Sequence, residues 1–412
     1  MLNLKSKLLA LTAALLCAGL APAQDSKALI DVLIQKGILN QEEAAKIQKD
    51  LAKTGGAAVV AASKGKYLEK VTLSGRFQFQ YAGLGTDIDG PAADPVATSH
   101  FFMRRMYVGV KADLAGGWSG NLNYDFAGST FDAAFIQWKQ SNQLVLDVGF
   151  RKVPFGLEEW YTSSSNLRAI ERSPGTRFFV EGNNGRRLGA GSYRTGVFLG
   201  GKADSGLFYN VALTNPERDE SAAGVTSAGT AANNNLAYWG NVGYAGKIHN
   251  GTFVLSGSIG FLPDQGGKTL GAGDDLTVYN AFAQFTAGAF DLQLEYFGSS
   301  NEHGASATAD ASSSAFSIQP AYKVGDLEYV VRYSSVDSDG RGLTTGDLIR
   351  SAPSGGTMDK LTEWFFGFNY YIRGNDVKWQ LGYIRGESKD TVTGGAAKAK
   401  TDGIRSMMQL NF

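Results

Sequence analysis

The sequence predicts an all-β fold, a sixteen-stranded antiparallel transmembrane β-barrel over residues 70–412, behind a short N-terminal helical hairpin. Three observations carry this. From Lys70 onward apolar and polar residues alternate with a period of two, the mark of strands with one greasy and one polar face. The candidate strands are even in number. Short turns join them on one side and mostly long segments on the other, the pattern of a barrel that crosses a bilayer. Composition agrees: Gly is 53 of 412 residues and aromatics are 11%, too many for a disordered chain, and beyond the N-terminus no apolar run is long enough for a membrane helix.

The N-terminus reads as an export signal. Lys5 and Lys7 form the charged start, Leu8 to Leu20 the apolar stretch, and Ala21-Pro22-Ala23 the small-residue cleavage site, giving a leader over 1–23. The one cysteine, Cys17, lies within it, so no disulfide or thiolate chemistry is expected of the mature chain. Residues 24–53 follow as a helical hairpin. Leu29, Val32 and Leu33 precede Gly37 as a helix stop, and Asn40 with Glu43 forms a capping box before the stripe Ala44, Ile47 and Leu51. Some 30 residues cannot build a substantial core. The hairpin is therefore read as a periplasmic head, either a spacer or a contact with itself or with cell-wall peptidoglycan. The Gly-, Ala- and Ser-rich stretch within 54–69 is a linker.

The expected strands are 70–82, 101–113, 118–127, 131–140, 143–153, 186–202, 206–214, 236–247, 251–261, 275–287, 289–299, 313–323, 326–336, 361–373, 376–387 and 402–412. Tight turns such as Ala115-Gly116-Gly117, Ser141-Asn142 and Gly374-Asn375 follow the even strands. Long segments such as 83–100, 154–185, 215–235 and 337–360 follow most odd ones. In this register Phe77, Leu122, Leu292 and Leu381 face lipid, while Gln78, Asn121, Gln293 and Gln380 face water. A soluble sandwich also alternates, but the turn-length pattern and an even strand count favour the closed barrel, the one β solution in lipid that leaves no open edge. At the end of the chain, Ile404, Met408, Leu410 and the terminal Phe412 share a face. That pattern resembles the signal bacterial outer-membrane barrels present to their assembly machinery.

One segment is more specific. Gly149-Phe150-Arg151-Lys152-Val153-Pro154-Phe155-Gly156-Leu157-Glu158-Glu159, then Ser163-Ser164-Ser165, Ile170-Glu171-Arg172-Ser173-Pro174 and Arg186-Arg187-Leu188-Gly189, resembles the phosphate-selective porin O and P family. The resemblance spans about 70–412 and is sharpest in 149–190. It implies a sixteen-stranded, usually trimeric barrel in the bacterial outer membrane. It implies a water-filled channel for small anions, phosphate among them, with loop 154–185 folded inward.

The residues carry a charge argument of their own. Residues 151–194 hold eight arginines and lysines against four glutamates, in a chain with 39 basic and 39 acidic residues overall. Positive charge is therefore concentrated at this loop. A barrel of sixteen strands leaves an aqueous lumen, and arginine grips oxyanions with a planar fork that never loses its proton. Arg151, Lys152, Arg168, Arg172, Arg177 and Arg194 are the expected loop-side anion ligands. Arg76, Arg105, Lys111 and Lys139 join them from the strands, because lipid-facing cations at mid-bilayer cost about 2–4 kcal/mol. The alternative is that these cations pair with Asp125, Asp132, Asp147 and Glu328 and line a nonselective wall, which gives a general diffusion porin. A structural protein tethered to the cell wall through 24–66 is the alternative from another class.

Other chemistry is thin. The neutral balance argues against nucleic acid as partner. Three histidines, His100, His249 and His303, give no hydrolase constellation. Asp274, Asp275, Asp337 and Asp339 read as solvated loop carboxylates rather than a Ca²⁺ site. Gly200-Gly201 and Gly266-Gly267 precede no helix that would cradle a phosphate. No cofactor, metal or catalytic residue is expected.

Overall fold

The computed structural model describes residues 59–60, 67–90, 93–216, 235–268, 274–392 and 397–412. The leader and the helical hairpin over 24–53 lie outside them, as does most of the linker. Sixteen strands form the barrel: β1 (Leu68–Ile88), β2 (Thr98–Leu114), β3 (Trp118–Asp125), β4 (Thr130–Lys139), β5 (Val145–Lys152), β6 (Tyr193–Lys202), β7 (Leu207–Thr214), β8 (Ala237–Ile248), β9 (Gly251–Leu262), β10 (Leu276–Ala287), β11 (Phe290–Ser306), β12 (Ser314–Val324), β13 (Leu327–Asp337), β14 (Lys360–Arg373), β15 (Val377–Lys389) and β16 (Lys398–Asn411). Neighbours pair antiparallel throughout. The sheet closes where β16 pairs with β1, from Ala399 opposite Ile88 to Asn411 opposite Arg76. No strand edge is left open to lipid, where unpaired backbone groups cost several kcal/mol each.

The expected turn pattern is present. Even strands end in tight turns, and β5 and β13 run into long segments that enter the barrel. The 115–117 turn shows why its glycines are needed. Gly116 and Gly117 both take φ of 80°, and a Cβ on Gly117 would stand 2.3 Å from the Lys139 carbonyl oxygen. At the closure seam Gly75 exchanges backbone hydrogen bonds with Phe412, and its missing side chain makes room for the Phe412 ring, which packs on Phe77 at 5.7 Å. The terminal aromatic is thus built into the sheet.

The faces follow the period of two. Phe79, Leu122, Ile136, Phe366 and Met408 are exposed on the outside, whereas Gln78, Gln80, Gln380 and Gln409 are wholly buried on the inside. A lysine at Leu122 is expected to cost about 2–4 kcal/mol near mid-bilayer, and a lysine at Asn121 far less. Unfolding midpoints in lipid vesicles for Leu122→Lys and Asn121→Lys check this; equal losses contradict the register.

Three features depart from the expected pattern. Strand β6 begins at Tyr193, not at 186. Residues 186–192 instead fold onto the inner segment, with the Leu188 and Ala190 amides bonded to the carbonyls of Phe178 and Phe179. Strands β1 and β11 run on to Ile88 and Ser306, beyond the expected ends at 82 and 299. Third, a register shift sets Gln78 opposite Arg105 but Phe79 opposite Met103. Arg104 is the extra residue of this bulge, which turns both Arg104 and Arg105 inward.

Part of the inner wall is apolar. Trp239, Leu276, Val278 and Phe297 are buried on the lumen side and join one core with Phe155, Phe178 and Phe179. This patch is where the long segment after β5 is fixed.

Candidate functional site

The segment after β5 enters the lumen at Pro154. It makes a single π-helical turn over Leu157–Tyr161, crosses the barrel, and ends in helix α1, Pro174–Val180. Ser173 caps α1 by accepting from the Thr176 amide, and Pro174 occupies the first turn, where no amide donor is missed. Phe179 stacks on Phe297 at 5.1 Å and Phe155 lies 5.5 Å from it, while Gly175 lets the helix approach Ala315. Across the barrel, side chains of the far wall hold the backbone. Lys378 Nζ donates to the Leu167 carbonyl at 3.1 Å, Gln380 to the carbonyls of Leu167 and Arg168, Gln409 to that of Ser165, and Gln78 to that of Ser164.

A second segment, between β13 and β14, also turns inward and meets the first. Thr344 and Asp347 form a capping box around the short helix α2, Thr345–Leu348. Asp347 binds Arg186, and Arg350 binds both Glu171 and Glu181. Arg341, wholly buried, donates to the carbonyls of Gly266 and Arg186.

The charges between these segments and the wall fall into two kinds. Most are paired. Arg172 contacts Glu159 at 2.6 Å, Lys152 the same carboxylate at 3.1 Å, and Arg168 contacts Asp291 at 2.7 Å and Glu328 at 3.7 Å. Arg104 reaches Glu171 at 2.6 Å, Arg332 lies between Glu363 and Glu158, and Arg151 is in direct contact with Asp147. A few have only neutral partners. Arg76 donates to Ser164, Asn411 and Ser163, and its guanidinium lies 5.5 Å from the Tyr107 ring centre. Arg105 donates to Gln78 at 2.6 Å, and its other amino nitrogen has no protein partner among the described residues. Arg405 donates to Gln80 and to the Arg350 carbonyl.

Open space lies beside this network. A chamber of about 570 Å³ between the inner segment and strands β2 to β4 is lined by Arg104, Arg105, Arg172, Arg187 and Arg194, with Asp125, Asp132, Glu159 and Glu181. A second space of about 550 Å³ toward the short-turn side is lined by Arg76 and Lys111 with Ser74, Asn121 and Asn123. Tyr107 borders both and donates to Asp132 at 3.0 Å. The first chamber holds nearly balanced charge; in the second, Lys111 is paired with Asp113, which leaves Arg76 as its one lining cation with no carboxylate in contact, close to Tyr107 and Asp132 where the two spaces meet.

The sequence-derived candidates are therefore distributed unevenly. Arg76, Arg105, Arg172 and Arg194 border these spaces, but the Arg194 guanidinium is buried and donates to the carbonyls of Gly189, Gly191, Tyr193 and Pro216. Arg177 corrects the expectation of a channel-lining group. It borders neither space, and its donors go to the carbonyls of Asp347 and Gly346 and to Glu181, because α1 turns that face toward the second segment. Lys111, beside Asp113 at 2.7 Å, and exposed Lys139 lie toward the short turns. Arg151 and Lys152 stand where β5 leaves the wall. Arg104, Arg332, Arg350, Lys378 and Arg405 were not among the candidates. The alternation of β13, β15 and β16 does place Arg332, Lys378 and Arg405 inside; the bulge hides Arg104.

Burial alone would raise the carboxyls of the inner segment. Arg172 and Lys152 instead hold Glu159 down to about 2, and Arg104 and Arg350 hold Glu171 well below the ordinary range. A depressed carboxyl contributes its full stability above the ordinary value of 4.5, and that contribution is lost as pH falls through the folded value near 2. Single-channel current at fixed salt is therefore expected to stay steady from about pH 7 to pH 5 and to become noisy below about pH 3. A transition centred near pH 4.5 contradicts the pairing.

Similarity to known proteins agrees with this architecture. The family model for phosphate-selective porin O and P matches residues 71–235 and 263–412. Among solved structures, an anion-selective porin from Comamonas acidovorans superimposes with a TM-score of 0.55 at 13% identity, over 83% of this chain and 99% of that one. The outer membrane channel DcaP of Acinetobacter baumannii gives 0.53 at 13% identity, over 86% and 100%. The trimer form of OmpT from Vibrio cholerae gives 0.50 at 12% identity, over 83% and 99%. No curated protein is significantly similar in sequence. With a closed barrel, an inward segment and a family match across most of its length, the chain belongs to the phosphate-selective porin O and P family and is an outer-membrane porin channel.

Proposed function

We propose that this channel passes small anions, phosphate among them, by passive diffusion rather than by catalysis, and that the segment after β5 narrows the path. One observation carries the reading: Arg76 and Arg105, both without a carboxylate partner, stand where the two lumen spaces meet at Tyr107. An uncompensated guanidinium attracts an oxyanion and repels a cation, and a wet chamber with several modest sites lets the ion leave again. Phosphate enters through the family alone. The test is the sign of the reversal potential under a salt gradient.

A general diffusion porin is the second reading. It is favoured by the pairing of Arg168 and Arg172 with carboxylates, which cancels much of the positive charge of the inner segment. A homotrimer is part of the proposal. So is a periplasmic head over 24–53, because an even strand count returns both ends of the barrel to one side, where the head can reach peptidoglycan. Deleting 24–66 is expected to leave a heat-modifiable barrel with unchanged single-channel conductance. Loss of the folded band on electrophoresis would place the head within the core. Cell-wall pull-down with and without the head tests the contact.

A further inference from the structure

A third space in the lumen lies away from the arginine junction, on the β5 to β7 side toward the short turns. It measures about 440 Å³. Four aromatic side chains line it: Trp160, Tyr161, Phe198 and Phe208. Trp160 and Tyr161 come from the end of the π-helical turn, Phe198 and Phe208 from β6 and β7; the Tyr161 ring lies 6.0 Å from Phe208 at 27° and 5.2 Å from Phe282. Tyr161 is 37% exposed and borders the open space. The Trp160 indole nitrogen and the Tyr161 hydroxyl have no hydrogen-bond partner among the described residues. Three cations border the same space, of which Lys152 is taken up by Glu159 at 3.1 Å. Arg151 lies between the Phe135 and Phe198 rings at 5.6 and 5.1 Å, and exposed Lys202 has no carboxylate partner among the described residues.

We infer that this is a binding subsite for small aromatic carboxylates, with the ring on the Trp160–Tyr161–Phe208 shelf and the carboxylate toward Arg151 and Lys202. Each component suits that class. Flat rings offer an offset-stacking surface. The two free donors and the cations want acceptors, which a carboxylate supplies and a hydrocarbon does not. The volume suits a single-ring solute. Asp147 takes part of Arg151's charge, so the grip is weak enough for release, as a channel requires. A plain inorganic anion makes no use of the shelf, and an uncharged sugar makes no use of Lys202.

This inference rests on the channel reading, and its test separates the two. Single-channel chloride current is recorded in planar bilayers while sodium benzoate, sodium acetate or glucose is added on the short-turn side. Benzoate is expected to interrupt the current at concentrations at least about tenfold below those of acetate, with glucose inert. Trp160→Ala and Tyr161→Ala should each weaken the benzoate effect about tenfold, and Trp160→Phe should restore most of it. Equal effects of benzoate and acetate, an equal effect of glucose, or a benzoate effect that survives both alanine variants overturns the subsite. The wild-type comparison needs no variant to fold. Absence of any chloride current instead removes the channel reading itself.

Discussion

Phe179→Ala is expected to release the inner segment from the wall while leaving the barrel folded. Phe179 is fully buried, stacked on Phe297 and set edge-on to Phe178. Truncating such a ring costs about 3–5 kcal/mol in lost contacts and residual cavity. The barrel itself does not depend on this ring, because its strands are joined by an unbroken ladder from β1 round to β16. The loss therefore falls on α1 and on the pairs it positions, Glu158 with Arg332 and Glu181 with Arg350. Single-channel conductance should rise and fluctuate, and externally added trypsin should cut after Arg168, Arg172 or Arg177 in the folded barrel. Phe366→Ala, on the exposed outer face, should do neither. Protease resistance and conductance equal to wild type would show that the apolar patch is not the anchor.

The second large effect is on selectivity. Replacing Arg76 and Arg105 together by Ala removes the two lumen guanidinia that have no carboxylate partner at the junction of the spaces. An anion about 4 Å from one unit charge gains roughly 4 kcal/mol at an effective dielectric near 20, before desolvation is subtracted. The double variant should move the reversal potential to the cation side and weaken any block of chloride current by phosphate. Because screening shortens the reach of these charges to about 10 Å at 0.1 M salt, the difference should shrink as salt rises. Removing a neutral pair is the control. Arg172→Gln with Glu159→Gln deletes one charge of each sign 2.6 Å apart and should shift the reversal potential far less. A larger shift from the pair than from Arg76 and Arg105 would put the selective charge on the inner segment instead.

The barrel was legible because lipid imposes a simple rule on every strand. Leu122 and Met408 face out and Gln78 and Gln380 face in, as alternation requires, and the turn lengths set which side each connection occupies. Strand ends were less legible. Nothing local in Arg186 to Ser192 tells that their amides bond to α1 rather than to a strand. The candidate site was legible as a concentration of charge but not as a set of pairs. Arg168 meets Asp291 and Glu328, and Arg350 meets Glu171, over sequence separations that no local pattern encodes. Arg104 was hidden for a different reason: a one-residue bulge breaks the alternation at the position where it matters. The apolar inner patch of Trp239 and Phe297 likewise contradicts a simple polar-in rule, because it faces a protein segment rather than water.

The proposed anion preference rests on Arg76 and Arg105, guanidinia without a carboxylate in contact where two lumen spaces meet. The most direct measurement is the zero-current potential of the wild-type channel across a planar bilayer under a tenfold KCl gradient. The expected sign is that of chloride crossing faster than potassium, with a magnitude that falls as both salt concentrations are raised. A potential of the opposite sign, or one of zero at low salt, contradicts it and leaves a general diffusion porin.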